Sequence, residues 1–251
     1  MRWDSPERQA ERSVVDPGGW RARLAGVSGV VDLPRDYPRP PVQTHRAAET
    51  VGSVPEDIVA VVRRTATDLG VAPGVLLLAA FAVLLQRVTG HTDLVVGVPA
   101  EDRGCPEFEG VAGSFPSLLP VRLRVEDGAS FADHVLGVDA AVAETLVHRG
   151  VPFKRIIEGL GLPLDLSRAP LVQVVFHPPT APDPGLDSPG MTTRRLPAPV
   201  PSSPFDLTLG VVDHGGNELT LRMVHNPDLY RPERIDALLD SYTALDRKSV
   251  V

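Results

Sequence analysis

The sequence has 251 residues, of which 43% are hydrophobic and 23% charged, a composition typical of a globular protein with a substantial core. Its net charge of −7, with no clustered basic face, excludes a nucleic-acid-binding footprint. Cys105 is the only cysteine, which excludes a disulfide framework and favours a reducing, cytoplasmic environment. The N-terminus lacks the apolar core of a signal peptide, and no apolar run reaches the roughly 20 residues that cross a bilayer.

The first half of the chain predicts helices followed by a buried strand. Residues 32–45 are rich in proline, so we expect an extended surface linker there. The segment Ser53–Glu56 has the spacing of a capping box and predicts the start of a helix. The apolar run Val75–Leu85 predicts a helix buried on all sides, and Leu94–Val98 predicts a strand buried on both faces. A charged loop ending in Arg103 then leaves the carboxyl end of this strand, where open α/β sheets bind ligands.

The second half of the chain predicts four strands and three helices. The strands are expected at 118–125, 171–176, 205–212 and 218–225, the last two as a hairpin. The helices are expected at 131–148, 151–159 and 231–242, the first of them capped by Ser130. Residues 178–201 are rich in Pro and Gly and predict a loop with an edge strand near Met191–Arg195. Because strands and helices alternate, we expect an α/β fold with a mixed sheet.

No self-contained catalytic motif occurs in the sequence. It has no nucleophile elbow, zinc-protease motif, dinucleotide fingerprint or phosphate-binding loop. The seven histidines are scattered, and none lies at metal-ligand spacing from another. Because a catalytic geometry is highly specific, we expect surface or capping roles for these histidines and no metal site.

Four local patterns, in a fixed order, carry the functional information. Motifs one to four read HTDLVVGVPAEDR at 91–103, GVAGSFPSLLPVR at 110–122, HRGVPF at 148–153 and LDLSRAPLVQVVF at 164–176. The stretches WRARLAG and LPRDYPRP precede them, at 20–26 and 33–40. The stretches FDLTL and HNPDLY follow them, at 205–209 and 225–230.

Taken in this order, the motifs resemble those of the condensation domains of nonribosomal peptide synthetases, over about residues 1–245. That family reads DxVVGxPxxxR, GxFVNTxxxR, HxxxPF and RDxSRNPLFQVxF at the corresponding places. Each motif alone is weakly specific, whereas the ordered set is strongly so. The resemblance implies an α/β lobe like those of chloramphenicol acetyltransferase, with a mixed β-sheet flanked by helices.

The family is built from two such lobes with the active site in a tunnel between them, and its catalytic motif, HHxxxDG, lies in the N-terminal lobe. This sequence has no His-His pair. We therefore expect the C-terminal lobe at 32–245, preceded at 1–31 by a remnant of the other lobe and the inter-lobe crossover. Residues 246–251 break the helical pattern, and a string of codons for them matches a common sequencing adapter. We expect a non-native tail there, and a chain that is a fragment.

The resemblance assigns Arg103 a role in supporting the catalytic loop of the missing lobe. In the family the matching Arg pairs with the motif Asp, and a guanidinium can hold a buried carboxylate through two parallel hydrogen bonds. An ordinary solvated loop residue is the alternative, because Glu101 and Asp102 stand beside Arg103. The resemblance further places four residues on the substrate tunnel or in its support, namely Ser114, Phe115, Ser117 and Arg168.

Three departures from the family pattern bear on function. Pro116 and Ser117 replace the usual Val-Asn, Ala169 replaces an Asn, and Leu164 replaces a leading Arg. These changes leave open a divergent specificity or a domain that has lost catalysis. An ordinary turn role is equally open for Ser114 and Ser117, which have no neighbouring histidine.

Two functions from different classes follow from the resemblance. In the first, the chain is half of an acyltransferase that forms amide bonds between carrier-bound aminoacyl or peptidyl thioesters. We expect this half to be inactive alone, because the histidine that acts on the acceptor amine is missing from the sequence. Its partners would be carrier domains, an adenylation domain and the N-terminal lobe. The substrates would arrive on the phosphopantetheine of the carriers, so no cofactor is bound directly. In the second, it is a degenerate module that docks carriers or tailoring enzymes without catalysis.

Overall fold

The computed structural model describes residues 17–101, 116–163, 165–181, 200 and 202–249. Within these ranges the helices α1–α6 span Pro17–Arg23, Glu56–Leu69, Pro73–Thr89, Phe131–Val147, Phe153–Leu160 and Pro232–Ser249. The strands β1–β6 span Ala48–Val54, Asp93–Glu101, Pro116–Arg124, Val174–Thr180, Leu207–Gly215 and Glu218–His225. The predicted edge strand near Met191–Arg195 lies outside the described residues.

All six strands form one mixed sheet in the order β1-β6-β5-β4-β2-β3. Strands β2, β4 and β5 are parallel to one another, whereas β1, β6 and β3 run antiparallel to their neighbours. The carboxyl ends of β2, β4 and β5 therefore lie along one edge, the upper edge, and their amino ends along the lower edge. This architecture confirms the predicted α/β class with a mixed sheet flanked by helices.

The larger core lies on the face of the sheet covered by α2, α3, α4 and α6. Helix α3 is at its centre, with ten of its 17 residues buried, which confirms the predicted all-round apolar helix. The ring of Phe81 on α3 packs 6.0 Å from that of Phe176 and 6.1 Å from that of Tyr242. The Tyr242 hydroxyl donates a hydrogen bond to the Leu77 carbonyl at 2.8 Å, which joins α6 to α3.

A smaller core lies on the opposite face, where α1 and α5 cover β2, β3 and β4. Arg122 of β3 fixes α1 there, because its guanidinium donates to both carboxylate oxygens of Asp93 and to the carbonyls of Arg23 and Ala25. Strand β2 contributes alternate side chains to the two cores, with Val95 in the smaller one. The predicted strand buried on both faces is thereby confirmed.

Two local signals are confirmed by hydrogen bonds. The Ser130 hydroxyl accepts a hydrogen bond from the Asp133 N–H at 3.1 Å, so Ser130 caps α4 as predicted. The hairpin is formed by β5 and β6, and Gly215 and Gly216 both take positive φ in its turn.

The capping box predicted at Ser53–Glu56 is wrong. Ser53 instead belongs to β1, a strand that the sequence did not predict, and pairs with Thr220 of β6. Helix α2 starts at Glu56 after Pro55, without a side-chain cap. Pro55 occupies the N-cap position, two residues after Ser53, so the Ser53–Glu56 spacing does not place a serine at the start of the helix.

Several element boundaries also differ from the prediction, and those of β4 and α6 are two examples. Strand β4 begins at Val174 rather than at residue 171, because Leu171 takes a φ of 65°, which no regular strand allows. Helix α6 continues to Ser249, past the predicted end at 242 and through part of the expected tail.

Residues 28–46 form a strap that crosses the lower edge of the sheet. Residues 32–45 are extended and mostly exposed, as predicted, but they are bound to the sheet and its loops and do not form a free linker. Leu33 of the strap is only 3% exposed and belongs to the larger core. The Asp36 carboxylate accepts hydrogen bonds from the Arg234 side chain and from the Arg231 N–H, which lower the pKa of Asp36 to about 2. The strap is extended, as its prolines require, and its polar groups are bound by the loops below the sheet.

In the described ranges no single helix is both long and apolar enough to cross a membrane. Helices α2 and α3 meet the length and hydropathy criteria only as a pair bent by 108°. The same ranges contain no group of three or more His, Cys, Asp or Glu side chains that could hold a metal ion.

Candidate functional site

The four motifs meet in the smaller core. Its buried members are Trp20, Leu24, Val95, Leu119, Val151, Ile156, Leu171, Val172 and Val175. Every motif contributes at least one of these side chains, and the stretch at 20–26 contributes two. Segments far apart in the sequence thus become neighbours on one face of the sheet, as expected for the parts of a single site.

Gly97 of motif one allows motif four to approach the sheet closely. A Cβ atom at this position would lie 2.7 Å from Val172 Cγ1, 3.0 Å from Leu118 Cδ1 and 3.1 Å from Val175 Cγ2. At the first distance a neighbouring side chain would have to shift, and the other two contacts would be tight. Packing therefore favours glycine at this position, whereas its backbone conformation does not demand it, because its φ is not in the left-handed region.

Ser117 lies at the upper edge of the sheet. It is half-buried and pairs with Ala100 near the carboxyl end of β2, the point where the charged loop of motif one leaves the strand. The next residue, Leu118, packs against the smaller core, as does Phe153 at the start of α5. Three further predicted site residues lie outside the described residues, namely Arg103, Ser114 and Phe115.

Arg168 lies at the lower edge, before the amino end of β4, and the structure therefore does not bring it together with Ser117. Its side chain is 18% exposed and forms ion pairs with two carboxylates. Arg168 Nε lies 2.9 Å from Asp165 Oδ2, and Nη1 lies 4.0 Å from Asp32 Oδ1. Hydrogen bonds from Ser167, together with Arg168, hold the pKa of Asp165 below its usual value.

Gln173 of motif four is a site residue that sequence reasoning missed. It is fully buried. Its Nε2 donates hydrogen bonds to the carbonyls of Gly29, at 3.0 Å, and Ala169, at 2.7 Å. Its Oε1 accepts one from the Val31 N–H, at 2.7 Å. A glutamine inside the otherwise apolar run LVQVVF was the signal, since a buried amide needs partners for its donors and acceptor.

A buried ion pair joins the strap to the sheet beside Gln173. The side chains of Arg39 and Asp206 are 6% and 2% exposed, and the guanidinium binds both carboxylate oxygens. Arg39 Nη1 also donates to the Ser167 carbonyl at 3.1 Å. The Asp206 N–H in turn donates to the Gln173 carbonyl at 2.9 Å, so the pair, the strap and motif four form one network.

Two of the described histidines, His134 and His148, form hydrogen bonds that join parts of the fold. His148 of motif three is the C-cap of α4, and its carbonyl accepts a hydrogen bond from Trp20 Nε1 at 3.3 Å. The sequence predicts a surface or capping role for each histidine, and a surface role is wrong for His134 and His225, which are buried. His134 Nε2 lies 3.2 Å from the Ala79 carbonyl, and burial lowers the pKa of His134.

The family model of the Condensation domain matches residues 3–246. The chain belongs to this family. Phosphinothricin tripeptide synthetase PhsC of Streptomyces viridochromogenes is 34% identical over 235 residues, which are 92% of this chain and 21% of PhsC. Bacitracin synthase 2 of Bacillus licheniformis is 28% identical over 236 residues, or 94% of this chain and 9% of that protein.

Solved structures of condensation-type domains share the fold. The X-domain from teicoplanin biosynthesis superposes with a TM-score of 0.87 at 25% identity, over 97% of this chain and 57% of that one. The first condensation domain of the CDA synthetase does so with a TM-score of 0.71 at 23% identity, over 97% of this chain and 52% of that one. This condensation-domain chain thus spans about half of these solved chains and about a fifth or less of the curated relatives named above.

Proposed function

We propose that this chain is the C-terminal lobe of a nonribosomal peptide synthetase condensation domain that forms amide bonds between carrier-bound thioesters. The observation that carries the proposal is the convergence of the four family motifs on one face of the sheet. Relatives such as the tripeptide synthetase PhsC and bacitracin synthase 2 support the substrate class.

In the proposed reaction the acceptor amine nitrogen attacks the thioester carbonyl carbon of the donor. A C–N bond forms, the C–S bond breaks, and the sulfur leaves as the carrier thiol after taking up the proton that the amine loses. The histidine that would position or deprotonate the amine belongs to HHxxxDG, which this sequence lacks. We therefore propose that the chain is inactive alone and acts with an N-terminal lobe, carrier domains and an adenylation domain.

We propose separate roles for the site residues at the two edges of the sheet. Arg103, with Ser114, Phe115 and Ser117, would serve the upper edge, where motif one leaves β2 and motif two enters β3. There Arg103 would hold the catalytic loop of the other lobe through a bidentate ion pair. Arg168, at the lower edge, would support the tunnel from below by joining the strap to motif four.

A second candidate function is a docking module without catalysis. It is favoured by the TM-score of 0.87 to the teicoplanin X-domain, which has also been solved in a complex with OxyB, and by the departures in motifs two and four. In this reading the same lobe would dock a tailoring enzyme or a carrier.

Sequencing the genomic region on both sides of the coding segment separates the two functions. The amide-forming function predicts an upstream HHxxxDG motif in the same reading frame and an adenylation domain downstream. An intact upstream lobe in which that motif is destroyed would contradict it and would support the docking module.

A further inference from the structure

The Gln173 side chain is the buried member of a set of hydrogen bonds that join two segments; the others run from Arg39 to the Ser167 carbonyl and from the Gln43 N–H to the Leu166 carbonyl. One segment is the strap, bound by Gln173 at Gly29 and Val31, and the other is the loop of motif four, bound at Ala169. Both donors and the acceptor of the amide are used, and the side chain is fully buried. Loss of this amide would leave three backbone groups without their partner, and buried backbone groups of this kind require one.

The residues that Gln173 binds are the immediate neighbours of an ion-pair network. Val31 precedes Asp32, and Ala169 follows Arg168. The pair between Arg168 and Asp32 spans the two segments at 4.0 Å, whereas the pair between Arg168 and Asp165 lies within the loop. The Arg168–Asp32 distance can stay fixed only if the strap and the loop stay at a fixed distance from each other.

The turn after Arg168 adds a second constraint. Leu171 takes a φ of 65°, a strained conformation for a residue with a side chain of this size, which persists only where the surroundings impose it. Leu171 is 1% exposed in the smaller core, and Gln173 follows two residues later. The core and the Gln173 amide thus hold the loop from its two sides.

We propose that Gln173 is a positioning residue that holds Arg168 between its carboxylate partners, Asp32 and Asp165. The inference deepens the proposed function and rests on it only for the consequence in catalysis. The position of the Arg168 side chain then depends on Gln173, although the two side chains do not touch.

The positioning itself can be tested on the 251-residue chain by nuclear magnetic resonance. We expect the Arg168 Nε–H to exchange with water about tenfold faster or more in Gln173→Met than in the unaltered chain, because the loop opens locally. Asn226→Ala is the matched control. It removes another buried amide that binds the strap, through Thr44, but it does not contact Arg168. Unchanged exchange in Gln173→Met, or an equal change in both variants, would overturn the proposal.

A second variant guards against a failure to fold. Gln173→Glu keeps the size of the side chain and an oxygen for the Val31 N–H; because a buried carboxyl facing carbonyls takes up a proton, it keeps one donor for Gly29 or Ala169 and loses the other. It should also accelerate exchange of the Arg168 Nε–H, with a thermal unfolding curve that remains cooperative. Normal exchange in a folded Gln173→Glu chain would overturn the proposal as well.

The consequence for catalysis is tested in the protein that contains this chain and its upstream lobe. We expect Arg168→Ala and Gln173→Met each to lower kcat/KM for amide formation by about 10- to 100-fold, the range that a small misplacement can cause. The double variant should be no worse than Arg168→Ala, whereas fully additive losses would refute action through Arg168. If the unaltered protein forms no amide, the proposed function fails, and the exchange measurement alone decides the positioning.

Discussion

Breaking the buried pair of Arg39 and Asp206 on one side should strongly destabilise the chain. Arg39→Met fills much of the space of the arginine stem but leaves the Asp206 carboxylate, 2% exposed, without its cation. Removing one partner of a buried pair typically costs about 3–5 kcal/mol, which is a large part of the roughly 5–15 kcal/mol that stabilises a domain. The loss should appear as a lower midpoint of urea unfolding with an unchanged slope.

The matched control for this prediction is another arginine of the same strap. Arg46 Nη1 lies 2.6 Å from Asp228 Oδ1, but the Arg46 side chain is 67% exposed. Exposed pairs contribute about 0–1 kcal/mol, so Arg46→Met should be nearly silent. Arg39→Met/Asp206→Leu should recover much of the loss, because no buried charge then remains unpaired. Equal losses for Arg39→Met and Arg46→Met would refute the argument from burial.

Three further predictions concern packing, pH and an upstream lobe. Gly97→Ala should destabilise the chain by about 1–3 kcal/mol, because the added methyl group overpacks against Val172. At the control position, Gly137, a Cβ meets nothing within 4 Å, so Gly137→Ala should be neutral or stabilising, and equal urea midpoints for the two variants would contradict this. Burial lowers the pKa of His134, so its contribution to stability is complete above about pH 6.5 and declines as the pH falls toward the folded-state pKa. His134→Gln should flatten this decline of the unfolding free energy with falling pH, and an unchanged pH dependence would argue against it. Arg103→Ala should lower the unfolding free energy of this chain by at most about 1 kcal/mol. In a protein that also contains an upstream lobe with the buried Asp of HHxxxDG, the same change should cost about 3–5 kcal/mol. Equally small effects in both proteins would show that Arg103 is an ordinary loop residue.

The sequence predicts the fold well where one strong pattern decides the structure. The all-round apolar segment of α3 can only be buried, and the hairpin of β5 and β6 has both alternating strands and a Gly-Gly turn. The convergence of the four motifs was implied by the family resemblance. Without that resemblance, no spacing in the sequence would have placed them on one face of the sheet.

The errors arise where distant contacts override local signals. Strand β1 has a mixed, half-exposed pattern, and only its pairing with β6 makes it a strand. The strap looks like a linker because its anchors are few and its partners lie more than 120 residues away, as for Arg39 with Asp206. Gln173 was overlooked for the same reason, since two of its three partners lie more than 140 residues away.

Amide formation by this chain, alone and joined to an upstream lobe, tests the central claim most directly. The assay supplies donor and acceptor substrates loaded on carrier domains and measures the amide product by mass spectrometry. We expect no product above a no-enzyme control from the purified 251-residue chain, and product formation when the chain is joined to an upstream lobe containing HHxxxDG. Product from the chain alone, or none from the joined protein with an intact motif and a cooperative unfolding curve, would contradict the account.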